Sequence, residues 1–460
     1  MPGNILLLQG PMGPFFRRLS NDLEAQGATV YKINLNAGDW LFYRGANTVS
    51  FTGDQAQWPE FLAECIAQWN IDHIYLFGDT RTYHCIAREV ARGLSVPVGV
   101  FEEGYLRPYY ITLEEGGVNG RSTLPSDPAF YRAVHAPDEP KPRPVARNYC
   151  NAAWFATAYY IAGWLGRNRF PHYTHHRPFN PYHEAYLWCR GAFRKYKYQW
   201  QQRRILDELR TRYSGKFYLV PLQVHCDGQI RTCDHVASAA AFVRRVVCSF
   251  ARHAPADTCL VLKHHPLDRG YSDYTRLVQK LIKRYGVEDR VYYVHDLHLP
   301  TLLDHAIGTV VINSTAGLSS LLHDTPVKTL GHAVYSMPGL SFQGTLDEFW
   351  NDPGHIDRRL NRRFRAYLAA TSQLNGSFYS RSAGARNATG LDLRRLLGAT
   401  AESMHQQAPV AEDQPAFLDI NWLPAPPDLP RTSAAAVLVP EASYDGGRRV
   451  AMAARDSTIA

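Results

Sequence analysis

The feature that most constrains the fold is the alternation of short apolar runs with segments of helical periodicity, which occurs in two series. The first series predicts buried strands at Asn4–Gln9, Val30–Leu35, His73–Phe77 and Val96–Phe101. The second series starts at Lys216 and predicts strands at Phe217–Leu222, Thr258–Leu262, Arg290–Val294, Val310–Asn313 and Pro326–Leu330. Strands that alternate with helices favour parallel βαβ units. The sequence therefore predicts two Rossmann-like halves with parallel sheets.

The segments around these two series complete the predicted domain organisation. From Asn151 to Tyr213 the chain becomes helical, aromatic and basic, and helical periodicity returns from Leu346 to about Leu397. After Ala401 the chain turns Pro-, Ala- and acid-rich with little periodicity, which is typical of disorder. The predicted units are an N-terminal domain 1–145, a helical connector 146–214, a C-terminal domain 215–398 and a disordered tail 401–460. Two such halves facing a cleft give an α/β, GT-B-like architecture with the active site in the cleft.

Composition is that of a soluble globular protein, since 45% of the 460 residues are apolar and 20% are charged. No run reaches the length of a membrane-spanning helix, and residues 1–9 lack the basic region of a signal peptide, so we expect a cytoplasmic protein. The 8 cysteines are scattered without metal-ligand spacing, and we expect them to be reduced. The net charge of +8 suggests an anionic partner: a nucleotide, an acidic sugar, an anionic lipid or a nucleic acid.

In the first half, the stretch FEEGYLRPYYITLE at Phe101–Glu114 carries the candidate chemistry. Glu102 and Glu103 stand where the fourth predicted strand ends, and Arg107 can hold an anionic group with two hydrogen bonds. In an open α/β sheet, ligands bind beyond the carboxyl ends of the strands. These residues therefore suggest a polar, catalytic site. The alternative is a solvated loop in which Arg107 pairs with one of the glutamates.

In the second half, three clusters follow strand ends. Gln223-x-x-x-Asp227 offers a carboxylate that can act as base or nucleophile, although such an acid is more often a turn or helix cap. Lys263 and His265 supply positive charge and directed donors that suit a phosphate leaving group. Adjacent strand residues point to opposite faces, so His264 and His265 are poor metal co-ligands and no metal is expected.

The third cluster is Asn313–Gly317, where Ser314, Thr315 and Gly317 open a predicted helix. Hydroxyls and backbone N–H groups at such a position form an anion cradle. The alternative is an ordinary Ser/Thr helix cap. Phosphate binding is favoured because this cluster and the Lys263 cluster follow strands of the same half. The chain has no Asp-x-Asp motif, which argues against a metal-assisted nucleotide-sugar site.

The connector offers a further candidate, the cluster His175, His176 and Arg177 beside Tyr173. Basic and aromatic residues interleave from Trp154 to Arg204, a pattern that can dock on an anionic membrane surface. The alternative is a solvated helix face between domains.

These segments together resemble the KpsS/LipB family of capsule polysaccharide biosynthesis proteins and, more distantly, the KpsC-type retaining β-Kdo transferases. The likeness covers roughly residues 1–395. Its motifs are QGPMGPFF at Gln9–Phe16, FEEGYLRPYYITLE, VPLQVHCD at Val220–Asp227, KHHP at Lys263–Pro266 and NSTAG at Asn313–Gly317. The KpsC relatives have Glu-Asp where this chain has Glu-Glu, so the chain departs from the pattern of those relatives at Glu103.

The resemblance implies an enzyme that transfers the first β-Kdo from CMP-β-Kdo to a lysophosphatidylglycerol-type lipid with retention, starting a capsule linker. It implies Asp227 as nucleophile, and Glu102 and Glu103 as catalytic or acceptor-facing residues. It assigns the CMP phosphate to Lys263, His265, Ser314 and Thr315. Such an enzyme would be cytoplasmic and peripherally bound to the inner membrane, with other capsule biosynthesis and export proteins as further partners.

A second reading is a non-catalytic partner that hands the capsule glycolipid to an exporter. It would keep the fold and the basic surface but would not need Asp227. A nucleic-acid-binding function is suggested only by the charge, and the chain has no recognisable nucleic-acid recognition motif, so we expect no nucleic acid partner.

Overall fold

The first half of the chain builds a mostly parallel sheet. The computed structural model describes residues 3–134, 137, 139, 141–145, 149–175, 180–225, 228, 238–381, 385 and 387–392. Six strands lie in the order β6-β5-β4-β1-β2-β3, and only β6 runs antiparallel to its neighbour β5. They are β1 (Asn4–Leu7), β2 (Thr29–Asn34), β3 (Thr48–Ser50), β4 (His73–Phe77), β5 (Val98–Glu103) and β6 (Tyr110–Glu115).

Within the described part of the first half, five helices accompany these strands, and two of them have side-chain caps at their N-termini. They are α1 (Phe15–Glu24), α2 (Ala37–Phe42), α3 (Trp58–Gln68), α4 (Thr82–Gly93) and α5 (Pro128–Ala133). The Asn36 side chain caps α2 by accepting hydrogen bonds from the N–H groups of Gly38 and Asp39. The Asp127 side chain caps α5 by accepting a hydrogen bond from the N–H of Ala129, and Pro128 is the first residue of that helix. The apolar faces of α3 and α4 pack on one side of the sheet, and α1 packs on the other.

Three helices connect the two sheets: α6 (Tyr149–Leu165), α7 (Pro181–Gln201) and α8 (Ile205–Arg210). Helix α6 packs against α2, and α7 contacts α6. Among the described residues, no helix has an apolar stretch long enough to cross a bilayer.

The second half forms a five-stranded, fully parallel sheet in the order β11-β10-β7-β8-β9. Its strands are β7 (Phe217–Pro221), β8 (Cys259–Lys263), β9 (Val291–Val294), β10 (Gly308–Val311) and β11 (Val327–Thr329). The helices are α9 (Ala239–His253), α10 (Thr275–Tyr285), α11 (Leu299–His305), α12 (Ala316–Leu322), α13 (Leu346–Phe349) and α14 (Arg358–Thr371). Every residue of β7, β8 and β10 is buried, as expected for strands covered on both faces. The prediction of an α/β, GT-B-like fold with two Rossmann-like parallel sheets is confirmed.

The chain then returns to the first sheet. Helix α14 is followed by β12 (Gln373–Asn375), which pairs antiparallel with β6 as a seventh strand. The prediction of helical segments from Leu346 to about Leu397 is therefore wrong at this strand, where pairing with β6 decides the conformation. The predicted tail 401–460 lies outside the described residues.

The two halves also share a hydrophobic core. Tyr105 and Leu106, which follow β5, pack in one cluster with Leu318 of α12 and Phe364 of α14. Gly104 allows this departure from the sheet, because a Cβ at its position would lie 2.0 Å from the backbone oxygen of Tyr110. The stretch after β5 thus joins the carboxyl end of one sheet to the other half of the protein.

Candidate active site

At the carboxyl edge of the second sheet, β7 and β10 are linked by two buried amides. Gln223, two residues after β7, donates from Nε2 to Oδ1 of Asn313 at 3.0 Å. The backbone N–H of Asn313 donates back to Oε1 of Gln223 at 3.5 Å. This pairing fixes the start of the Asn313–Gly317 turn beside the end of β7, and it places two of the predicted clusters side by side.

Lys263 ends β8 in the middle of this edge, and its side chain is buried. Its ammonium donates to the backbone oxygen of His295 at 3.4 Å, a long hydrogen bond. Burial lowers the pKa of Lys263 to about 8, although Asp296 acts in the opposite direction. A buried ammonium with so weak a partner is suited to bind an anion, because an anion would restore the stability of its charged form.

The two histidines that follow Lys263 have different surroundings. His264 is buried, with Nδ1 2.7 Å from the hydroxyl of Tyr293 and its ring against those of Tyr274 and His295. His265 is partly exposed and accepts a hydrogen bond at Nδ1 from the N–H of Leu267 at 3.2 Å. Burial lowers the pKa of His265 to about 4, with further contributions from Lys263 and from Arg107 of the first half. His265 therefore lies within the electrostatic reach of the other half.

The Asn313–Gly317 turn is held by hydrogen bonds of its own. Ser314 Oγ accepts from the N–H of Ala316 at 3.2 Å, whereas Thr315 makes no side-chain capping bond to α12. The hydroxyl of Tyr335 donates to the Ser314 backbone oxygen at 2.5 Å, and a Cβ on Gly317 would lie 2.1 Å from that hydroxyl. Ser314 thus bonds the first residue of α12 from outside the helix, and Gly317 is required by the close approach of Tyr335.

At the edge of the first sheet, Glu102 and Glu103 end β5. Glu102 Oε1 accepts from the N–H of Glu103 at 3.0 Å, and its Oε2 lies near Gly78 at the end of β4. Burial raises the pKa of the Glu103 carboxyl, and this effect is opposed by Arg107 and by a hydrogen bond with Tyr379. The two acids therefore make different contacts, and the pKa of the Glu103 carboxyl is raised.

Arg107 connects the two edges. Its Nε donates to the backbone oxygen of Gly104 at 3.2 Å, and the side chain is exposed. It lies close enough to act electrostatically on both Glu103 and His265. A second approach between the halves is made by Gly228, where a Cβ would lie 2.2 Å from Oγ1 of Thr80. Arg107 thus lies within electrostatic reach of one predicted acid, Glu103, and of one predicted phosphate-binding residue, His265.

Three of the predicted site residues, Asp227, His176 and Arg177, lie outside the described residues. His175 is described, and its ring lies 5.7 to 6.3 Å from those of Tyr159, Tyr160 and Tyr173. It belongs to the first half and is grouped with tyrosines rather than with the second-sheet clusters.

Sequence reasoning missed a histidine–aspartate pair beside the same edge. His225 Nδ1 lies 2.5 Å from Oδ1 of Asp268, and the side chain of His225 is 41% exposed while that of Asp268 is 1% exposed. Asp268 also accepts hydrogen bonds from the His225 N–H and the Ser272 hydroxyl. Such a buried carboxylate orients the ring, so that the other nitrogen, Nε2, can serve a substrate. The signal was present, since His225 lies inside the Gln223–Asp227 motif.

A buried polar network at the first edge was also missed. Gln9 Nε2 donates to Asp39 Oδ2 at 3.2 Å and to the hydroxyls of Tyr159 and Tyr173 at 2.9 Å each. Its Oε1 accepts from Arg81 at 2.7 Å. The network attaches α6 and the Tyr173 segment to the ends of β1 and β4. Its partners are up to 164 residues apart, so no local pattern could have revealed it.

Among the described residues, no group of three or more His, Cys, Asp or Glu side chains is arranged to hold a metal ion.

Comparisons with known proteins match most of the chain. The model of a family described as "Capsule polysaccharide biosynthesis protein" matches residues 72–379. The chain is 45% identical over 384 residues to the capsule polysaccharide modification protein LipB of Neisseria meningitidis serogroup B, covering 82% of this chain and 92% of the relative. It is 41% identical over 380 residues to the capsule polysaccharide export protein KpsS of Escherichia coli, and the match covers 81% of this chain and 96% of the relative.

Among solved structures, the chain is similar to the beta Kdo 2,7 transferase of Thermosulfurimonas dismutans KpsC. The identity is 16%, the TM-score is 0.40, and the match covers 81% of this chain and 92% of that one.

Proposed function

The chain belongs to the capsule polysaccharide biosynthesis protein family, and from that premise we propose that it is a retaining glycosyltransferase. It transfers the first β-Kdo from CMP-β-Kdo to a lysophosphatidylglycerol-type lipid. The reaction takes place at the inner membrane, with which the protein associates peripherally from the cytoplasm. The observation that carries this proposal is the position of Arg107, which acts on both Glu103 of the first half and His265 of the second.

On the donor side, Lys263, His265, Ser314 and Thr315 hold the phosphate of CMP. The poor internal partner of the Lys263 ammonium supports this assignment, since phosphate would complete its coordination. Departure of CMP needs no protonation of a poor leaving group, because positive charge and oriented donors stabilise the phosphate as it leaves. Gln223 and Gly317 contribute by fixing the shape of the site through Asn313 and Tyr335.

Retention requires two displacements. A carboxylate oxygen of Asp227 bonds to the anomeric carbon of Kdo while the bond from that carbon to the CMP phosphate breaks. An acceptor hydroxyl oxygen then bonds to the same carbon, which releases Asp227 as a carboxylate. Gly228, the next residue in the sequence, lies against Thr80, which follows β4.

The acceptor hydroxyl must lose its proton in the second displacement. We assign this proton to Glu103, because burial shifts the pKa of its carboxyl toward neutrality and a base is most effective when its pKa lies near the working pH. Glu102, next to Gly78, positions the acceptor, and Arg107 pairs with its phosphate. His175, with the adjacent His176 and Arg177, extends the acceptor side toward the lipid.

The second candidate is a non-catalytic partner that hands the glycolipid to an exporter. The Escherichia coli relative is named as an export protein, which favours this candidate. It requires lipid binding but no bond formation at Asp227.

The test is incubation of purified protein with fluorescent lysophosphatidylglycerol and CMP-Kdo regenerated in the reaction. Mass spectrometry should detect the addition of one Kdo, and Asp227→Ala is the matched inactive control. Absence of product with folded protein and intact donor would favour the hand-over function.

A further inference from the structure

Helix α7 exposes aromatic side chains on the face that points away from the protein. Leu187, on the opposite face, is only 5% exposed, and Gly191 lies against Gly270. The aromatic residues recur at spacings of three, four and seven, so they form one stripe along this helix of 21 residues. Their exposures are Tyr182 75%, Tyr186 58%, Phe193 69%, Tyr196 70% and Trp200 68%.

Helix α6 continues this apolar surface. It contains no charged residue, and its exposed side chains include Trp154 at 69% and Leu165 at 66%. The rings of Trp164 on α6 and Tyr182 on α7 meet edge to face with centroids 5.9 Å apart. A contiguous exposed aromatic surface of this kind marks an interaction site rather than ordinary solvent exposure.

A cationic cavity of about 640 Å³ opens beside the α7 stripe. Lys197 follows Tyr196 of the stripe in sequence, so the cavity and the stripe share one helix. The lining of the cavity contains one acid, Asp273, which is ion-paired with Arg194 at 3.0 Å. The lining residues used in the argument are Arg194, Lys197, Tyr198, Asp273, Thr275 and Arg276.

The cavity is built on an ordered wall. The ring of Tyr198 stacks on that of His295, with centroids 3.5 Å apart and planes 8° from parallel. Arg194 donates to the backbone oxygens of Arg269 and Ser272 at 2.7 and 3.1 Å. Arg194 is therefore fixed by the protein, whereas Lys197 and Arg276 are exposed cations at the opening.

The charge of α7 decides what this surface can bind. The helix has four basic residues and one acid, and that acid, Glu184, is bonded to the hydroxyl of Tyr271 at 2.5 Å. Tyr and Trp rings prefer the headgroup level of a bilayer, and nearby Lys and Arg side chains are attracted to anionic lipid. A helix that lies in the membrane interface has this pattern of an apolar stripe flanked by cations.

We propose that the α7 stripe and the cavity beside it form a docking site for an anionic phospholipid bilayer. The aromatic rings enter the headgroup region, and the phosphate of one lipid lies between Lys197 and Arg276. The inference rests on the proposed function, whose acceptor is itself an anionic phospholipid, and it names the surface that brings the enzyme to that acceptor.

The first test measures sedimentation of the full chain with vesicles of phosphatidylglycerol and phosphatidylcholine. Lys197→Glu/Arg276→Glu is compared with Lys283→Glu/Arg284→Glu, a pair of the same charge at the other end of α10. Loss of two basic contacts should weaken binding roughly 30-fold, and the control should change it less than about 3-fold. Equal losses in both variants would overturn the cavity assignment, because net charge alone would then explain binding.

The second test addresses the stripe with Tyr196→Ser/Trp200→Ser, at positions exposed enough to leave folding unchanged. Vesicle binding should fall at least 10-fold while the melting temperature stays the same. If wild-type protein dimerises and this variant is monomeric, the stripe is an interface between two copies, and the proposal is wrong. Release of the protein from vesicles by millimolar glycerol phosphate would assign the cavity to a soluble phosphate instead.

These measurements are independent of transfer, because vesicle binding needs no donor. If the protein binds vesicles but does not transfer Kdo, the proposed function is wrong and the docking site stands. If it transfers Kdo to a short soluble acceptor but does not bind vesicles, the docking site is wrong and the proposed function stands.

Discussion

The carboxyl edges of the two sheets are constructed differently. At the first edge, the buried carboxylate of Asp39 accepts hydrogen bonds from the Leu35 N–H and from Gln9, Asn36 and Tyr159. At the second edge, the buried ammonium of Lys263 makes, within the described part of the chain, one hydrogen bond of 3.4 Å. Within the described residues, the Asp39 carboxylate thus has four hydrogen-bond donors, whereas the Lys263 ammonium has one long hydrogen bond.

Several basic groups at the second edge also have lowered pKa values. Burial lowers the pKa of Lys263 to about 8, that of His265 to about 4 and that of His295 to about 3. Desolvation is the leading cause in each case. A bound phosphate would favour the charged form of Lys263, in line with the proposed donor site.

The largest effect is expected for Asp227→Ala, which should abolish transfer and leave CMP affinity within about 2-fold of wild type. The reason is that covalent catalysis is lost while the phosphate contacts remain. Transfer is measured by mass spectrometry and CMP affinity by calorimetry. A Kdo adduct on Asp227 in a slowed variant would confirm the covalent route, and wild-type turnover by Asp227→Ala would contradict it.

The next largest effect should come from Glu103→Gln at the first edge. Removing a general base typically costs about 100- to 10,000-fold in rate, and the amide preserves the shape of the carboxyl. CMP affinity should not change, because Glu103 belongs to the acceptor side. Glu102→Gln serves as the comparison. A larger rate loss for Glu102→Gln would mean that Glu102 is the general base and that Glu103 positions the acceptor.

At the second edge, Lys263→Ala and His265→Ala should each weaken CMP binding by about 1.5–3 kcal/mol, the contribution of a charge-assisted hydrogen bond. His264→Ala should weaken CMP binding much less, because His264 is bonded to Tyr293 inside the protein. Calorimetry on protein shown to be folded by circular dichroism measures all three. A stronger effect from His264 than from His265 would show that the assignment of the two histidines is reversed.

The smallest effect is a dependence of CMP affinity on pH. Because the pKa of Lys263 is lowered to about 8, its charged form is dominant below pH 8 and is lost above it. CMP affinity should therefore fall as the pH rises from 7.5 to 9.5, by a factor of several up to about 10-fold per unit. Lys263→Arg should flatten the profile, since arginine stays charged. A flat wild-type profile would mean that Lys263 does not bind the phosphate.

The features that local sequence patterns encode could be predicted from the sequence. Buried apolar runs identified the strands around Leu6 and Val261, and strand-end position identified Glu103, Lys263 and His265 as polar residues of the two edges. The contrast between His264 and His265 also followed from the alternation of side chains along a strand.

Other features depend on partners distant in sequence. The short strands β3 and β12 have three residues each and gain their conformation from pairing with β2 and β6. The bonds of Gln9 to Tyr159 and of His225 to Asp268 join separate elements, so neither pair could be read from spacing. Local periodicity carries information about burial but not about which buried groups meet.

The return of β12 to the first sheet limits how modular this protein can be. Gln373 Oε1 accepts from the N–H groups of Tyr105 and Leu106, so the last strand anchors the turn that leads to Arg107. A fragment that ends before β12 would lack this anchor and would leave the edge of β6 unpaired. Exchange of the second half between relatives must therefore use two junctions, one before β7 and one before β12, since a single cut before β7 would also replace β12, a strand of the first sheet.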